Sequence, residues 1–168
     1  MAISQRTPVE SILQSTPSAE PCVKRILVAL AGETQSDATA IFAAGLVQQL
    51  HAEMILLNVF PTGYSSGPDI VFSELEHRAD CIRDATALLE SIRSRLMPDL
   101  KVDMILREGE PSQQIVKAAR DCGADLIVIG APAHGWLTRT MLGSVTHSVV
   151  HHASCPVLTV PFRPPTKL

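Results

Sequence analysis

Apolar runs and amphipathic stretches alternate along most of the chain. Five runs rich in Ile, Leu and Val predict β-strands, and most of them are continuously apolar, as in a parallel sheet that helices cover on both faces. The third run begins with polar alternation, which is typical of an edge strand. The predicted strands are Lys24–Ala31, Met54–Phe60, Lys101–Arg107, Leu126–Ile129 and Val157–Val160.

Between these runs, apolar residues recur three and four positions apart, which predicts helices. Ser36 is predicted to cap the first helix after a turn at residues 32–35, because its hydroxyl can accept a backbone hydrogen bond. Pro111 suits the first turn of the third helix, and Gly123 suits its end. The predicted helices run from Ser36 to about Leu50, over about Phe72–Met97, from Pro111 to Cys122 and over Ser144–Ala153.

The regular order of strands and helices predicts a doubly wound α/β sandwich with a five-stranded parallel sheet and helices on both faces. Ligands of such sheets bind beyond the carboxyl ends of the strands, where the winding direction reverses. That point lies between the first and fourth strands, so we expect Ala29–Gly32 to face Gly130 and Gly143. Gly130 is predicted to end the fourth strand. Gly143 and Ser144 are predicted to place free N–H groups and a hydroxyl at a helix start, which favours an anion such as phosphate.

Length and composition fit one domain with an aliphatic core. The chain has 168 residues, of which 46% are hydrophobic and only 4% aromatic. Its net charge of −3 and the lack of a basic stripe argue against a nucleic-acid partner. We predict a mobile N-terminal extension at residues 1–22, the folded domain at residues 23–160 and a C-terminal tail at residues 161–168.

Cysteine usage and hydropathy favour a cytoplasmic protein. No apolar run approaches the length of a membrane span, and the N-terminus lacks the apolar segment of a signal peptide. The cysteines are far apart and form no CxxC pair, so they are expected to be small buried thiols of a reduced compartment. They are Cys22, Cys81, Cys122 and Cys155.

Three segments of this chain resemble the universal stress protein family. KRILVALAGE resembles the opening strand and turn of that family, and REGEPSQQIVKAARDCGADLIVIG resembles its third strand, third helix and fourth strand. LGSVTHSVVHHASCPVLTV resembles its closing helix and strand. The resemblance covers residues 23–160. It implies strand order 3-2-1-4-5 in an adenine-nucleotide alpha-hydrolase-like sandwich, and usually a homodimer.

Many members of that family bind ATP through a glycine, two residues, a second glycine, nine residues, a third glycine and then a serine or threonine. Here Gly130, Ala133, Gly143 and Ser144 follow this spacing, with alanine in place of the middle glycine. The nucleotide-binding members also hold the nucleoside with an aspartate, and the matching residue here is Ala31. The resemblance therefore implies a site that keeps its phosphate half and has a weakened nucleoside half.

The candidate ligand is ATP, with any Mg²⁺ carried mainly by its phosphates because residues 130–152 contain no Asp or Glu. His134 and Arg139 are available as cations. The candidate binding residues are Ala29, Leu30, Ala31, Val59, Gly130, Ala133, Gly143, Ser144, Val145 and Thr146.

Other motifs have simpler structural interpretations. Gly63–Gly67 matches the G-x-S-x-G pattern of α/β-hydrolases around Ser65, but a Gly/Ser-rich loop is favoured because Pro61-Thr62 and Pro68-Asp69 separate it from strand and helix. His147 and His151 are one turn apart and could chelate a metal, but exposure on the last helix is favoured.

Cys155 and Trp136 also have more than one possible role. Cys155 is interpreted as a small buried residue, since a reactive thiol needs an accessible electropositive setting. Trp136 either covers the ligand or packs the loop.

These features favour a non-catalytic stress-response protein that responds to nucleotide and forms a homodimer through the edge strand Val157–Val160. Three alternatives stay open. They are slow ATP hydrolysis at the same site, an esterase that uses Ser65, and an interaction module that binds no nucleotide.

Overall fold

The structure is a computed structural model that describes residues 23–62, 71–96, 98–132 and 143–162. Within these residues, five strands alternate with four helices. In chain order the elements are β1 (Arg25–Leu30), α1 (Glu33–Leu50), β2 (Glu53–Phe60), α2 (Val71–Arg95), β3 (Val102–Glu108), α3 (Pro111–Cys122), β4 (Leu126–Pro132), α4 (Ser144–His152) and β5 (Val157–Phe162).

The strands form one parallel sheet in the order β3-β2-β1-β4-β5. In the central strand β1, Ile26 lies opposite Met54 of β2 and Leu126 of β4. The chain first winds from β1 towards β3 and then returns to β4 on the other side of β1. The predicted fold class is therefore confirmed, and the gap between β1 and β4 is the switch point of the sheet.

Helices cover both faces of the sheet, which explains the continuously apolar strands. On one face, Ala43 of α1 and Ile92 of α2 belong to the same core cluster as Val28 of β1. On the other face, Ala118 of α3 and Val149 of α4 belong to a second core cluster. Consecutive residues of β1 thus enter different cores, so neither side of this strand has room for polar side chains.

The start of α1 differs from the prediction. The helix begins at Glu33, directly after Gly32, so Ser36 lies inside it and the predicted N-cap role of Ser36 is wrong. Ser36 is fully buried, and its hydroxyl oxygen has no hydrogen-bond partner among the described residues. The positive φ of 69° at Gly32 lets the chain turn in one residue, which removes the longer turn that the sequence indicated.

The last two strands also extend beyond their predicted ends. β4 continues through Gly130 to Pro132, so Gly130 does not end the strand as predicted. β5 continues through Pro161 to Phe162, within the segment predicted to be the tail. Pairing explains both extensions, because Gly130 lies opposite Val160 and Pro132 lies opposite Phe162.

Candidate functional site

A cavity of about 260 Å³ lies at the carboxyl end of the sheet, where β1 and β4 diverge. The first turn of α4 and the first two turns of α3 form its other walls. Its described lining residues are Ala29, Leu30, Ala31, Leu57, Val59, Pro111, Ile115, Ile129, Gly130, Gly143, Ser144, Val145 and Thr146.

Nine of the ten residues proposed from the sequence line this cavity. The tenth, Ala133, lies outside the described residues, as do His134 and Arg139. Four lining residues were not predicted from the sequence. Two of them could have been predicted, because Leu57 lies two positions before Val59 on the same strand face and Ile129 directly precedes Gly130. No such indication exists in the sequence for the two residues on α3. The four are Leu57, Ile129, Pro111 and Ile115.

The N-terminus of α4 opens into the cavity with free donors. Gly143 is its N-cap, with φ −53° and ψ 151°, and it supplies no side-chain cap. The first intrahelical bond runs from the His147 N–H to the Gly143 carbonyl at 2.9 Å. The N–H groups of the three residues between them therefore have no partner within the helix. These groups and the helix dipole favour an anion at this end of the cavity.

Thr146 fixes this helix to the sheet. Its buried hydroxyl donates to the Gly130 carbonyl at 3.3 Å, which joins the first turn of α4 to the end of β4. Both residues were predicted to belong to the site, and the hydrogen bond gives them a positioning role there.

The N-terminus of α3 also reaches the cavity, through Pro111, but its donors are already bonded. The Glu110 carboxylate accepts hydrogen bonds from the N–H groups of Ser112 and Gln113, at 3.1 Å and 2.8 Å. Burial raises the pKa of Glu110, but hydrogen bonds from Gln113 and Ser112 outweigh this effect and leave the pKa below its usual value. Of the two helix starts at the cavity, only that of α4 is left to receive an external anion.

The ends of β1 and β2 are joined by a buried side chain. Asn58 donates from its amide to the Leu30 carbonyl at 3.0 Å, and these two residues are opposite each other in the sheet. Ala31, which follows, is exposed at the cavity and offers a ligand no side-chain acceptor. None of the described residues that line the cavity carries a charge.

The histidines of α4 lie outside this cavity. His147 and His151 are exposed, as predicted, with ring centroids 4.5 Å apart, while Val149 faces the core. Across the described ranges, no group of three or more His, Cys, Asp or Glu side chains could hold a metal ion. The observed arrangement is that of solvent-exposed residues on a short helix.

The described cysteines are free thiols and are half-buried rather than fully buried as predicted. Burial raises the pKa of Cys155, and the nearby Asp125 raises it further. Burial also raises the pKa of Cys122. A raised pKa favours the protonated and less nucleophilic thiol, which argues against the reactive alternative for Cys155.

Three other features named from the sequence lie outside the described residues. They are the Gly63–Gly67 motif with Ser65, the loop residue Trp136 and the thiol of Cys22. Within the described residues, no helix is both long and apolar enough to cross a bilayer.

Comparisons with known proteins agree with this architecture. The sequence model of the Universal stress protein family matches residues 23–161. Universal stress protein YxiE of Bacillus subtilis (strain 168) is 32% identical over 145 residues, which cover 81% of this chain and 97% of that protein.

Solved structures show the same similarity. Universal stress protein UspA from Lactobacillus plantarum is 26% identical with a TM-score of 0.65, and the match covers 82% of this chain and 97% of that one. Protein MJ0577 of Methanocaldococcus jannaschii is 27% identical with a TM-score of 0.69, and the match covers 85% of this chain and 99% of that one.

Two further structures are similar in fold and hold nucleotides. A universal stress protein in complex with cAMP is 20% identical with a TM-score of 0.56, covering 83% of this chain and 97% of its own. The universal stress protein from Archaeoglobus fulgidus in complex with dAMP is 20% identical with a TM-score of 0.53, covering 82% of this chain and 98% of its own.

Proposed function

Because the chain belongs to the universal stress protein family, we propose that it is a non-catalytic stress-response protein with an adenine-nucleotide site in the cavity between β1 and β4. The observation that carries this proposal is the uncapped N-terminus of α4, whose first residues line the cavity. Free N–H groups at a helix start attract the phosphate of a ligand. The cAMP and dAMP complexes of similar fold support a ligand of this class.

The proposed phosphate end consists of Gly143, Ser144, Val145 and Thr146, with Gly130 holding Thr146 in place. The nucleoside end consists of Ala29, Leu30, Ala31 and Val59. Ala133 belongs to the proposed site through the glycine spacing alone. Since Ala31 provides no carboxylate, we expect the nucleoside to be held more weakly than the phosphate. We propose ATP as the ligand, with any Mg²⁺ carried by its phosphates.

A binding role is favoured over hydrolysis by the chemistry of the lining. Efficient phosphoryl transfer to water needs a group that positions the water, and usually a metal held by carboxylates. The described lining supplies two hydroxyls, from Ser144 and Thr146, and no carboxylate or imidazole. Slow ATP hydrolysis is the alternative activity of this site, and a dimerisation module without nucleotide is the alternative if the cavity is empty in the cell.

We propose a homodimer through β5. This strand is at the edge of the sheet, where unpaired backbone groups can pair with a second copy. The helices that contact β5 on the two faces of the sheet each carry an exposed apolar side chain, Phe42 on α1 and Val150 on α4. Free thiols at Cys81, Cys122 and Cys155 suit the cytoplasm, which we propose as the location.

The decisive experiment uses freshly purified, untagged protein. Any nucleotide released on denaturation is identified by mass spectrometry, and Mg-ATP is titrated into the emptied protein by calorimetry. We expect retained adenine nucleotide or micromolar affinity for Mg-ATP. An empty site with no heat of binding would overturn the nucleotide proposal and favour the interaction module.

Gly143→Asp tests the position of the site. The backbone angles at Gly143 suit any residue, and aspartate is a preferred N-cap, so the fold is expected to be kept. The carboxylate would occupy the N–H groups of α4 and repel phosphate, so ATP binding should be abolished. Gly143→Asn has nearly the same shape without the charge, and it should weaken binding less. Unchanged ATP affinity in Gly143→Asp would exclude this site.

A further inference from the structure

The side chains that line the cavity indicate what kind of group the site accepts besides the phosphate of a ligand. The side chains away from α4 are aliphatic and come from both the sheet and α3. Several are buried even without a ligand, so they form a preformed surface. These side chains are Ala29, Leu57, Val59, Ile115 and Ile129.

The backbone acceptors at the ends of the strands already have protein partners. The Leu30 carbonyl accepts from the Asn58 amide at 3.0 Å, and the Gly130 carbonyl accepts from the Thr146 hydroxyl at 3.3 Å. A sugar hydroxyl that enters the cavity therefore meets no carboxylate among the described lining residues, and the Leu30 and Gly130 carbonyls already accept hydrogen bonds from the protein. Burying a polar group without a partner is unfavourable. Sugar hydroxyls should accordingly contribute little to affinity.

The donors are concentrated at the opposite end. They are the N–H groups of Ser144, Val145 and Thr146, together with the Ser144 hydroxyl, which has no hydrogen-bond partner among the described residues. All three residues line the cavity. The site is thus divided into a donor end that suits an anion and an apolar end that offers van der Waals contact.

The size of the cavity limits how much of a ligand it encloses. Its volume of about 260 Å³ is just below the range of roughly 300–1,000 Å³ typical of pockets for drug-sized ligands. A ring system joined to one phosphate matches this space better than a whole nucleoside triphosphate does. Any further phosphates would extend out of the cavity.

We infer that the cavity selects phosphate monoesters of flat, apolar ring systems and gains little from a ribose. This inference rests on the proposed phosphate site at α4, and it narrows the class of ligand. The reason for this inference is that the N–H donors at Gly143–Thr146 and the aliphatic wall around Leu57 and Ile129 lie in different parts of the cavity. Nucleotides would then bind through phosphate and base, and a ribose-free aromatic phosphate would bind at least as well.

The test compares two ligands, AMP and α-naphthyl phosphate, by calorimetry on the full-length protein. We expect the Kd of α-naphthyl phosphate to be equal to that of AMP or lower, because the naphthyl ring offers more apolar area than adenine and AMP must also desolvate its sugar hydroxyls. α-Naphthol and inorganic phosphate, titrated separately, should each bind at least about tenfold more weakly, which corresponds to about 1.4 kcal/mol.

The possible results separate this inference from the proposed function. If AMP binds more than about threefold tighter than α-naphthyl phosphate, the protein recognises the polar groups of the ribose or the base, and the inference is wrong. The proposed nucleotide site then stands. If neither ligand binds but Mg-ATP does, the inference is wrong and the nucleotide site stands. If Mg-ATP does not bind either, both proposals fail. Equal or tighter binding of α-naphthyl phosphate that is lost in Gly143→Asp supports both.

Ala31→Asp provides an independent check at the sugar end. A carboxylate at this exposed position can accept hydrogen bonds from a ribose but gives a naphthyl ring no partner. The preference for AMP over α-naphthyl phosphate should therefore rise by about tenfold, as expected for one charged hydrogen bond near a surface. The uncharged Ala31→Asn should raise it less. An unchanged ratio in Ala31→Asp would contradict the proposed orientation of the ligand.

Discussion

Gly32 connects β1 to α1 through a backbone conformation that only glycine adopts easily. Its φ of 69° and ψ of 162° lie in a region that costs other residues about 1–3 kcal/mol. A Cβ at this position would meet no atom within 4 Å, so the cost of Gly32→Ala comes from the backbone alone. We expect this variant to lower the free energy of unfolding by about 1–3 kcal/mol in urea unfolding followed by circular dichroism.

Gly45→Ala is the matched control for this prediction. Gly45 lies on the exposed side of α1, without a positive φ, and a Cβ there would also meet nothing within 4 Å. Alanine is the better helix former, so this variant should raise the free energy of unfolding by about 0.5–1 kcal/mol. Equal effects of the two substitutions would contradict the glycine-specific turn at Gly32.

Residue identities reveal why the sequence predicted some positions and missed others. The glycine spacing pointed to Gly130 and Gly143 because phosphate sites use glycine and helix starts in a known pattern. Ser36 was misplaced because a serine before an apolar stretch is normally an N-cap, whereas here one glycine turns the chain sooner. The amide of Asn58 was missed because its partner, the Leu30 carbonyl, belongs to a different strand.

At the scale of an element, α3 depends on a cap that residue preferences do not predict. Glutamate is not among the favoured N-cap residues, yet Glu110 accepts hydrogen bonds from the Ser112 and Gln113 N–H groups. Near pH 7 we expect Glu110→Ala to lower the free energy of unfolding by about 1 kcal/mol, the usual effect of removing a cap. Urea unfolding of both proteins measures this difference.

The same cap predicts a pH dependence. Because folding lowers the pKa of Glu110, its stabilisation is complete above the unfolded-state value near 4.5 and is lost as the pH falls through the lower folded-state pKa. The difference between wild type and Glu110→Ala should therefore shrink with acidification below that value. Glu110→Gln keeps an acceptor oxygen without a titrating group, so its difference from Glu110→Ala should not depend on pH. A constant gap between wild type and Glu110→Ala would contradict capping by the carboxylate.

Element boundaries were harder to predict than element types. Among the described residues, apolar runs identified all five strands and amphipathic stretches identified all four helices, but the last two strands extend past a glycine and a proline. Gly130 stays in β4 because Val160 pairs with it, and Pro161 continues β5 opposite Ala131. Local sequence cannot show this pairing, since a proline or glycine is tolerated in a strand only where the neighbouring strand allows it.

At the scale of the whole molecule, the alternation of elements predicted a doubly wound sheet whose winding reverses between β1 and β4, and the family resemblance implied the strand order. The position of the cavity followed from the same order, since ligand sites form at the switch point. The contribution of α3 did not follow, because Pro111 and Ile115 reach the cavity only through packing across the sheet. The exposed apolar side chains near the open edge of the sheet could not be predicted either, because their exposure depends on how α1 and α4 pack on the sheet.

We predict that the homodimer forms at the β5 edge of the sheet. Ile41 lies in a groove with Ile92 of α2 and with Leu96, which follows that helix. The next residue is about 100° farther round α1 and does not line this groove. That residue is Phe42, which is 51% exposed and belongs to a helix that contacts β5. On the other face, Val150 is 46% exposed and points away from the α3 side of α4.

If two copies join through β5, their α1 helices meet on one face of the extended sheet and their α4 helices meet on the other. Burying Phe42 would then stabilise the dimer, and Phe42→Glu should raise its dissociation constant by at least about tenfold, since a buried aromatic side chain contributes more than 1.4 kcal/mol. Sedimentation velocity over a range of concentrations measures this shift. Val150→Glu should act in the same direction.

Ile41→Glu is the control, because Ile41 is even more exposed at 68% but faces α2 rather than the sheet edge. Its dissociation constant should stay close to that of the wild type. The three variants change exposed side chains only, so circular dichroism should show an unaltered fold for each. A wild-type protein that stays monomeric at high concentration would overturn the dimer. Equal weakening by Ile41→Glu and Phe42→Glu would instead place the interface on the outer face of α1, away from the β5 edge.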